Sequence, residues 1–560
     1  MHPMAAVLDP THRFYYLGNF QQVLDWLAQR YGDLLNAEER DFITAFPGLP
    51  LASRALFVRM MMRKGELFRV SKLAYPEIDC SLQALRGLPG AWVEHDPVLS
   101  LQQFAQLSTR AELLVQFDSP ALRSPACKAL RKDALLSLLA EDAAHGHSRP
   151  FSQWQHKGSD QAVRLLNRPL CERLRLMFFG NLRQDWSEFV LADIGTLRYE
   201  RVTLGPEARG FRSRADIDLY LQLHACRQAY EAGTAAGSLL PMLPHGAFDN
   251  PWLDSRRQRL MFRIGQLFEK QQDLSQAHAV YAGCAYPGAR ARAIRVLEKL
   301  GRFGAAHSLL RTAQQSPESE AERQHLARIA PRLARQLGQP APGRRRAAIV
   351  DRLDLHLPRQ GAARVELAVG DYLQRQQPEA AVFYVENVLA NALFGLLCWE
   401  AIFAAIPGAF FHPFQREPAD LFSADFHGRR RAQFERCLAR LEDGSHRAAI
   451  LATHDAKAGV QSPFVAWGGL KRELLELALD CIPPSHLRLW CLRILEDVRE
   501  NRSGFPDLIQ FWPQQRSYRM IEVKGPGDKL QDNQLRWLDY CARHGMPVSV
   551  CYLQWEALAA

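Results

Sequence analysis

Apolar positions recur three and four residues apart between Tyr15 and Leu73, in "WLAQRYGDLL", "AEERDFITAF" and "SRALFVRMMMRKGEL", which is the spacing of one helix face. Residues 100 to 142 carry the same period in shorter pieces, "LQQFAQLS", "TRAELLVQF" and "CKALRKDALLSLLAED". Ser and Pro stand between them, and the pattern predicts small helices joined by an extended link. Between residues 260 and 335 the helical pattern repeats itself. "LFEKQQDLSQAHAVY" (267–281) aligns with "VLEKLGRFGAAHSLL" (296–310) at an offset of 29, so Glu269-Lys270 matches Glu298-Lys299 and Ala277-His278 matches Ala306-His307. Paired helices with a recurring signature predict a short tetratricopeptide-like array, although about 34 is the usual period. Recurrence at one place in each repeat makes His278 and His307 packing or capping residues rather than metal ligands.

The texture changes after "QLGQPAPGRRR" (336–346), where Gly and Pro interrupt the helical pattern. Helices such as "VLANALFGLLCWEAIFAAI" (388–406) and "GRRRAQFERCLARLED" (428–443) then precede the strand-like runs "DLIQFW", "YRMIEV" and "VSVCYLQW". The pattern as a whole predicts a multidomain chain: largely α-helical N-terminal and repeat regions, then an α/β domain.

Composition narrows the classes. A chain of 560 residues with 47% hydrophobic content can bury several cores. No run approaches eighteen uninterrupted apolar residues, and "MHPMAAVLDPTHRF" lacks the apolar centre of a signal peptide, so no membrane association is expected. Eleven cysteines without a C-x-x-C pair argue against a disulfide framework or a structural zinc site, and for a reducing cytoplasm. The net charge of +10 is concentrated: residues 252 to 346 hold 18 Lys and Arg against 7 Asp and Glu, enough to account for the whole excess. A local basic field is the footprint of a polyanion binder, with a solvated arginine-rich surface as the alternative. Arg256, Arg257 and Arg259 open that segment. Arg59, Arg63 and Lys64 lie on or beside the third N-terminal helix. Lys128, Arg131 and Lys132 lie near the second of two small helices joined by an extended link, which suits a DNA-touching module, with solvated lysines on an amphipathic helix as the alternative.

The chemistry concentrates in "FPDLIQFWPQQRSYRMIEVKG" (505–525). A hairpin centred between Gln514 and Gln515 would set Asp507 opposite Glu522, with Cβ atoms about 5 Å apart. Lys524 would project from the same face as Glu522, and Val523 from the other, into the core. Two facing carboxylates repel unless something positive sits between them. A hard divalent cation with oxygen ligands suits them, and a lysine on the same face can then orient water or stabilise charge on phosphorus. A surface ion pair between Lys524 and the two acids is the competing reading.

These residues carry a resemblance. "PD" at 506–507 and "EVK" at 522–524 resemble the PD-(D/E)xK nuclease signature, and "EVKGPGDKLQDNQLRWL" (522–538) is similar to its form in the VRR-NUC domain. "ALFVRMMMRKGELFRVSKLAY" (55–75), "FFGNLRQDWSEFVLADIGTLRYE" (178–200) and "YVENVLANALFGLLCWEAIF" (384–403) resemble the Fanconi-associated nuclease family, where a glutamate stands just before a Leu-Phe-Gly-Leu-Leu-x-Trp helix. The resemblance spans most of residues 14 to 555. It implies a restriction-endonuclease-like α/β nuclease domain at 345–560, preceded by an N-terminal helical DNA-binding region (1–80), a SAP-like module (81–155), a helical connector (156–245) and the basic tetratricopeptide-like repeat (246–340).

It also implies a site. Glu386, placed on a helix ahead of the motif, joins Asp507 and Glu522 as carboxylate ligands of Mg2+ or Mn2+. Val523 adds its carbonyl, Lys524 serves as the catalytic base partner, and Gln534 steadies the site. The implied activity is that of a phosphodiesterase: metal-dependent, structure-selective cleavage of 5′-flap and branched DNA, 5′-to-3′ exonuclease action, and a part in repair, including repair of interstrand crosslinks. Eukaryotic members carry an N-terminal ubiquitin-binding zinc finger. No cysteine precedes Cys80 here, so the expectation is a bacterial, cytoplasmic, DNA-associated member without ubiquitin-directed recruitment, acting as one protomer on DNA. A Holliday-junction resolvase, or a helical-repeat scaffold with an inactive nuclease domain, are the alternatives. The long basic helical region and the intact Glu386, Asp507, Glu522 and Lys524 speak against them.

Overall fold

The computed structural model describes residues 13–117, 130–140, 147–155, 160–188, 197–246, 248–340, 343, 349–358 and 364–556. The chain divides into two compact units, Met1–Leu197 and Arg198–Ala560. Among the described residues no helix is long and apolar enough to cross a membrane.

In the first unit, α1 (Tyr15–Tyr31), α2 (Ala37–Ala45) and α3 (Leu51–Met61) form where the apolar period predicts them. Asn36 and Glu39 close a reciprocal capping box that starts α2. Phe42, Phe46, Phe57 and Trp92 gather their rings into one aromatic core. Back-to-back capping boxes, Ser100 with Gln103 and Thr109 with Glu112, explain why the following segment breaks into α4 (Leu101–Leu107) and α5 (Arg110–Gln116) rather than forming one helix. With α6 (Lys132–Ala140) they enclose Phe104, Phe117, Leu135, Phe151 and Trp154. Short strands β1 (Leu67–Arg69), β2 (Val93–His95), β3 (Val98–Leu99), β4 (Arg149–Pro150) and β5 (Ala162–Leu165) complete the unit, with β5 between β1 and β2. Their brevity left no periodic trace in the sequence.

The second unit contains the repeat and the α/β domain. The repeat runs through α7 (Pro251–Lys270), α8 (Leu274–Ala282), α9 (Ala289–Lys299), α10 (Phe303–Gln315) and α11 (Glu320–Gln336). The matched Glu-Lys pairs end α7 and α9. Ala277 and Ala306 are fully buried between helices, and the adjoining His278 and His307 are half-buried. Neither histidine caps a helix, since Asp273 and Arg302 hold those places. The repeat therefore turns on its small alanines, which let neighbouring helices approach, and the capping alternative is corrected.

Beyond the repeat lies a mixed sheet of β6 (Asp351–Leu357), β7 (Ala381–Tyr384), β8 (Leu508–Trp512), β9 (Ser517–Lys524) and β10 (Val548–Trp555), in the order β6-β10-β9-β8-β7. β9 is parallel to β10 and β10 to β6, while β7, β8 and β9 are antiparallel neighbours. Both faces of β8 and of the second half of β9 are buried, so these strands show no simple apolar–polar alternation, and Gln510, Glu522 and Lys524 are buried among apolar neighbours. One face packs on α12 (Val365–Gln376), with Leu508, Ile521, Val523, Val369 and Leu373 in a common core. The other is covered by helices that include α13 (Pro484–Glu496) and α14 (Asp532–Arg543), where Trp490, Phe505 and Trp537 meet edge to face.

Candidate active site

The β8–β9 hairpin turns through Pro513–Gln515, and Arg516 takes the left-handed backbone (φ 48°) that reverses the chain. Leu508 pairs with Ile521 and Trp512 with Ser517, the register expected from the sequence. Asp507, just ahead of β8, is therefore brought to the end of β9 and accepts a 2.8 Å hydrogen bond from the Val523 N–H on its Oδ2. Its own carbonyl accepts from Val385 N–H at 2.8 Å, tying it to the residue after β7. Val523 turns its side chain into the core, as expected.

Asp507, Glu522 and Lys524 are 6%, 0% and 8% exposed. Lys524 Nζ lies 2.8 Å from Glu522 Oε1, and Gln534 Nε2 donates to the same oxygen at 2.6 Å. Gln534 is held by the capping box that opens α14, in which its Oε1 accepts from Gln531 N–H at 2.8 Å. Glu522 Oε2 is buried and has no hydrogen-bond partner. Such an orphan acceptor is costly in a dry site unless something positive or protonated meets it. Burial raises the proton affinity of both acids. Asp507 is pushed up to about 6, with Glu386 adding to the rise while the Val523 N–H and Lys524 oppose it. Glu522 is pushed up to about 8, by burial and then by the Asp507 charge, against the pull of Lys524.

Glu386 is not on a helix. It stands exposed in the turn between β7 and the helix Leu389–Leu397, because the chain must leave the sheet edge there; Asn387 adopts φ 53° to make that turn. Its Oε2 accepts from the Tyr384 hydroxyl, and its Oε1 from Asn387 Nδ2 at 3.3 Å. Its charge acts on both Asp507 and Glu522. Tyr384, Arg364 and Glu366 were missed in the sequence. Arg364 Nη2 donates to the Tyr384 hydroxyl at 3.1 Å, and Glu366, in the first turn of α12, adds its charge near Asp507. Tyr384 was detectable two places before Glu386 in "AVFYVE", where a β-prone run precedes the turn.

Among the described residues no three His, Cys, Asp or Glu side chains already converge on a metal position. Glu522 is engaged by Lys524 and Gln534, and Glu386 by Tyr384 and Asn387. The donor set nevertheless fits a hard divalent cation: buried carboxylates that resist sharing a site while charged, one with an orphaned oxygen, and an exposed third carboxylate at the rim.

The expected DNA-contacting residues fare unequally. Arg63, Lys64, Arg131 and Arg259 are exposed. Arg59 instead packs within its unit, its guanidinium 4.0 Å over the Tyr16 ring and bonded to Glu77 Oε1. Lys132 donates to the Ser108 carbonyl at 2.7 Å, and Lys128 lies outside the described residues. Arg256 lies over the rings of Trp252 and Tyr220, whereas Arg257 bonds Asp254 and the Gly246 carbonyl. The three arginines that open the basic segment are thus not one surface group: Arg256 and Arg257 are half-buried and engaged within the protein, and Arg259 stands exposed.

Three domain models and several relatives match the chain. The VRR-NUC domain model matches residues 441–555, the FAN1 HTH domain model residues 14–94, and the Fanconi anemia-associated nuclease SAP domain model residues 98–154. The chain is 54% identical over 546 residues to a Fanconi-associated nuclease 1 homolog of Pseudomonas aeruginosa, covering 97% of this chain and 96% of that one. It is 23% identical over 663 residues to Fanconi-associated nuclease 1 of Homo sapiens, covering 96% of this chain and 62% of that protein. A crystal structure of paFAN1 bound to 2-nt 5′-flap DNA with a gap superposes with a TM-score of 0.91 at 53% identity, over 98% of this chain and 100% of that one. An identity above one half along almost the entire length, joined to an intact Asp507–Glu522–Lys524 hairpin, places the chain in the Fanconi-associated nuclease family: it is a DNA nuclease with a VRR-NUC catalytic domain.

Proposed function

We propose that this nuclease cuts 5′-flap and branched DNA with Mg2+ or Mn2+ held by Glu386, Asp507, Glu522 and the Val523 carbonyl. The observation that carries the reading is the buried Asp507–Glu522 pair, whose raised proton affinities and orphaned Glu522 Oε2 are best relieved by a divalent cation. When bound, such a cation supplies Lewis-acid charge to the phosphodiester and lowers the pKa of a ligated water. The chain's own residues do the rest. Lys524, held 2.8 Å from Glu522, orients the attacking water and stabilises charge on the phosphate oxygens. Gln534 keeps Glu522 in place from α14. Burial of the pair excludes bulk water and strengthens each of these interactions. The flap preference is supported by the paFAN1 crystals with 5′-flap DNA. Exonuclease action in the 5′-to-3′ direction, a role in crosslink repair, a cytoplasmic location and the five-part division of the chain follow from the same family reading.

The test is cleavage of labelled 5′-flap, 3′-flap and four-way DNA with and without each metal. The 5′-flap should be cut preferentially, and only with metal. Asp507→Ala should abolish cleavage while flap binding persists or tightens, because a carboxylate that repels phosphate is gone. Metal-dependent turnover in that variant rejects Asp507 as a ligand, and paired symmetric nicks in the four-way substrate would favour a resolvase.

A further inference from the structure

We infer that Tyr384 is a positioning residue for the metal site, with Arg364 as its anchor: the hydroxyl sets the direction in which Glu386 presents its carboxylate. The inference rests on the reading of Glu386 as a ligand.

Glu386 is the exposed member of the three acids, and it leaves the sheet on a turn. An exposed glutamate has three side-chain torsions to settle before it can serve a metal, an entropic handicap that buried Asp507 and Glu522 have already met. Tyr384 removes much of that freedom. Its main chain is registered on the sheet, opposite Leu508, and the next residue donates its N–H to the Asp507 carbonyl. The phenol thus starts from a backbone fixed relative to Asp507, and its hydroxyl donates to Glu386 Oε2. Asn387 reaches the other oxygen at 3.3 Å.

Arg364 completes the chain. Its guanidinium donates to the Tyr384 oxygen, lies 5.1 Å from the centre of the ring, and pairs at 3.7 Å with Glu366. A cation donating to the phenol oxygen polarises its O–H and strengthens the bond the hydroxyl gives to Glu386. Tyr384 touches no reacting atom in this arrangement. It acts through the carboxylate, as the hydrogen-bonded partners of metal-ligating carboxylates do, whose loss costs about 10–100-fold in metal affinity.

The experiment measures Mn2+ binding to the full-length protein without DNA, by electron paramagnetic resonance of free Mn2+, with melting temperatures in EDTA alongside. Tyr384→Phe should weaken Mn2+ binding by about tenfold, Arg364→Ala less and in the same direction, with melting in EDTA nearly unchanged. Glu386→Gln should weaken binding at least as much, and adding Tyr384→Phe to it should cost nothing further. The Mn2+ concentration for half-maximal cleavage of a 5′-flap should rise in parallel. Wild-type Mn2+ affinity in Tyr384→Phe, with Glu386→Gln impaired, overturns the positioning role and leaves the ligand reading standing. Wild-type affinity in Glu386→Gln removes both. Additive losses in the double variant also overturn the proposal, since Tyr384 would then act elsewhere. Should Tyr384→Phe melt early, Arg364→Ala decides: unchanged binding there refutes the anchor and the relay with it.

Discussion

Asp507 and Glu522 are in conflict when both are charged, and that conflict makes the site measurable. Each carboxyl is raised above its ordinary range, to about 6 and about 8. The folded protein therefore binds more protons than the unfolded chain between the ordinary carboxylate range and those values, and stability from this pair falls as pH rises through that window. A cation that binds only the deprotonated pair reverses the trend. The melting temperature gained on adding Mn2+ should therefore grow from pH 6 to pH 9. Asp507→Asn keeps an oxygen for the Val523 N–H and leaves Glu522 balanced by Lys524. In EDTA at pH 9 it should melt about 2 °C or more above wild type, and Mn2+ should no longer raise it. Scanning fluorimetry across pH checks both, and a lower melting point for Asp507→Asn at pH 9 would mean the pair is not under mutual repulsion. Asp507, Glu522 and Lys524 were legible in the sequence because an antiparallel hairpin fixes partners by simple counting. Glu386 was found only through resemblance, and Tyr384, Arg364 and Glu366 were not found, because they converge from separate elements through a sheet edge that counting along one hairpin cannot reach.

Elements position the site through close approaches as much as through hydrogen bonds. Gly504 lies between the helix covering the sheet and Asp507, at φ 84°, and a Cβ there would sit 2.8 Å from the Asn533 backbone carbon and side chain. Asn533 belongs to the first turn of α14, next to Gln534. Gly504→Ala must therefore strain its own backbone and push that turn from the sheet, taking Gln534 from Glu522. A loss of about 1–3 kcal/mol in denaturant unfolding should accompany a larger fall in cleavage than in DNA binding. Gly304→Ala, with open space around its Cβ in α10, should be neutral or stabilising. Equal stability of the two variants would show that α14 tolerates displacement. The same scale shows what pattern reading could see. β8, β9 and β10 are legible because each carries a cluster of β-branched, aromatic and other apolar residues bounded by turn signals. β6 alternates Leu353, Leu355 and Leu357 with polar positions but is an edge strand with little buried surface, and β7 has four residues, too few to establish a period.

At the scale of the whole molecule, the basic excess of residues 252 to 346 persists because its acids are already engaged. Asp254 holds Arg257, Glu269 holds Arg292 and Lys299, Glu298 holds Arg332, Glu322 holds Arg290, Glu320 holds Arg493, and Asp273 caps α8. Apart from Glu320–Arg493, which ties the repeat to α13, those pairs knit the repeat internally, so Arg259, Arg302 and Arg311, all exposed, give the surface its sign. Reversing them is a cleaner probe than reversing Arg256 and Arg257, whose loss would also disturb Trp252, Tyr220 and Asp254. Each duplex phosphate that is no longer neutralised should flatten the log–log salt dependence by nearly one unit, so the triple reversal to Glu should lower the slope by about two to three. Binding should weaken alike on any sequence, because the phosphate backbone carries no base information. Single-turnover cleavage at saturating protein should change far less, since Asp507, Glu522 and Lys524 are untouched. Fluorescence anisotropy across a salt series decides the matter: an unaltered slope would move the grip to Arg63, Lys64 and Arg131, and leave the arginines of the repeat as a solvated face.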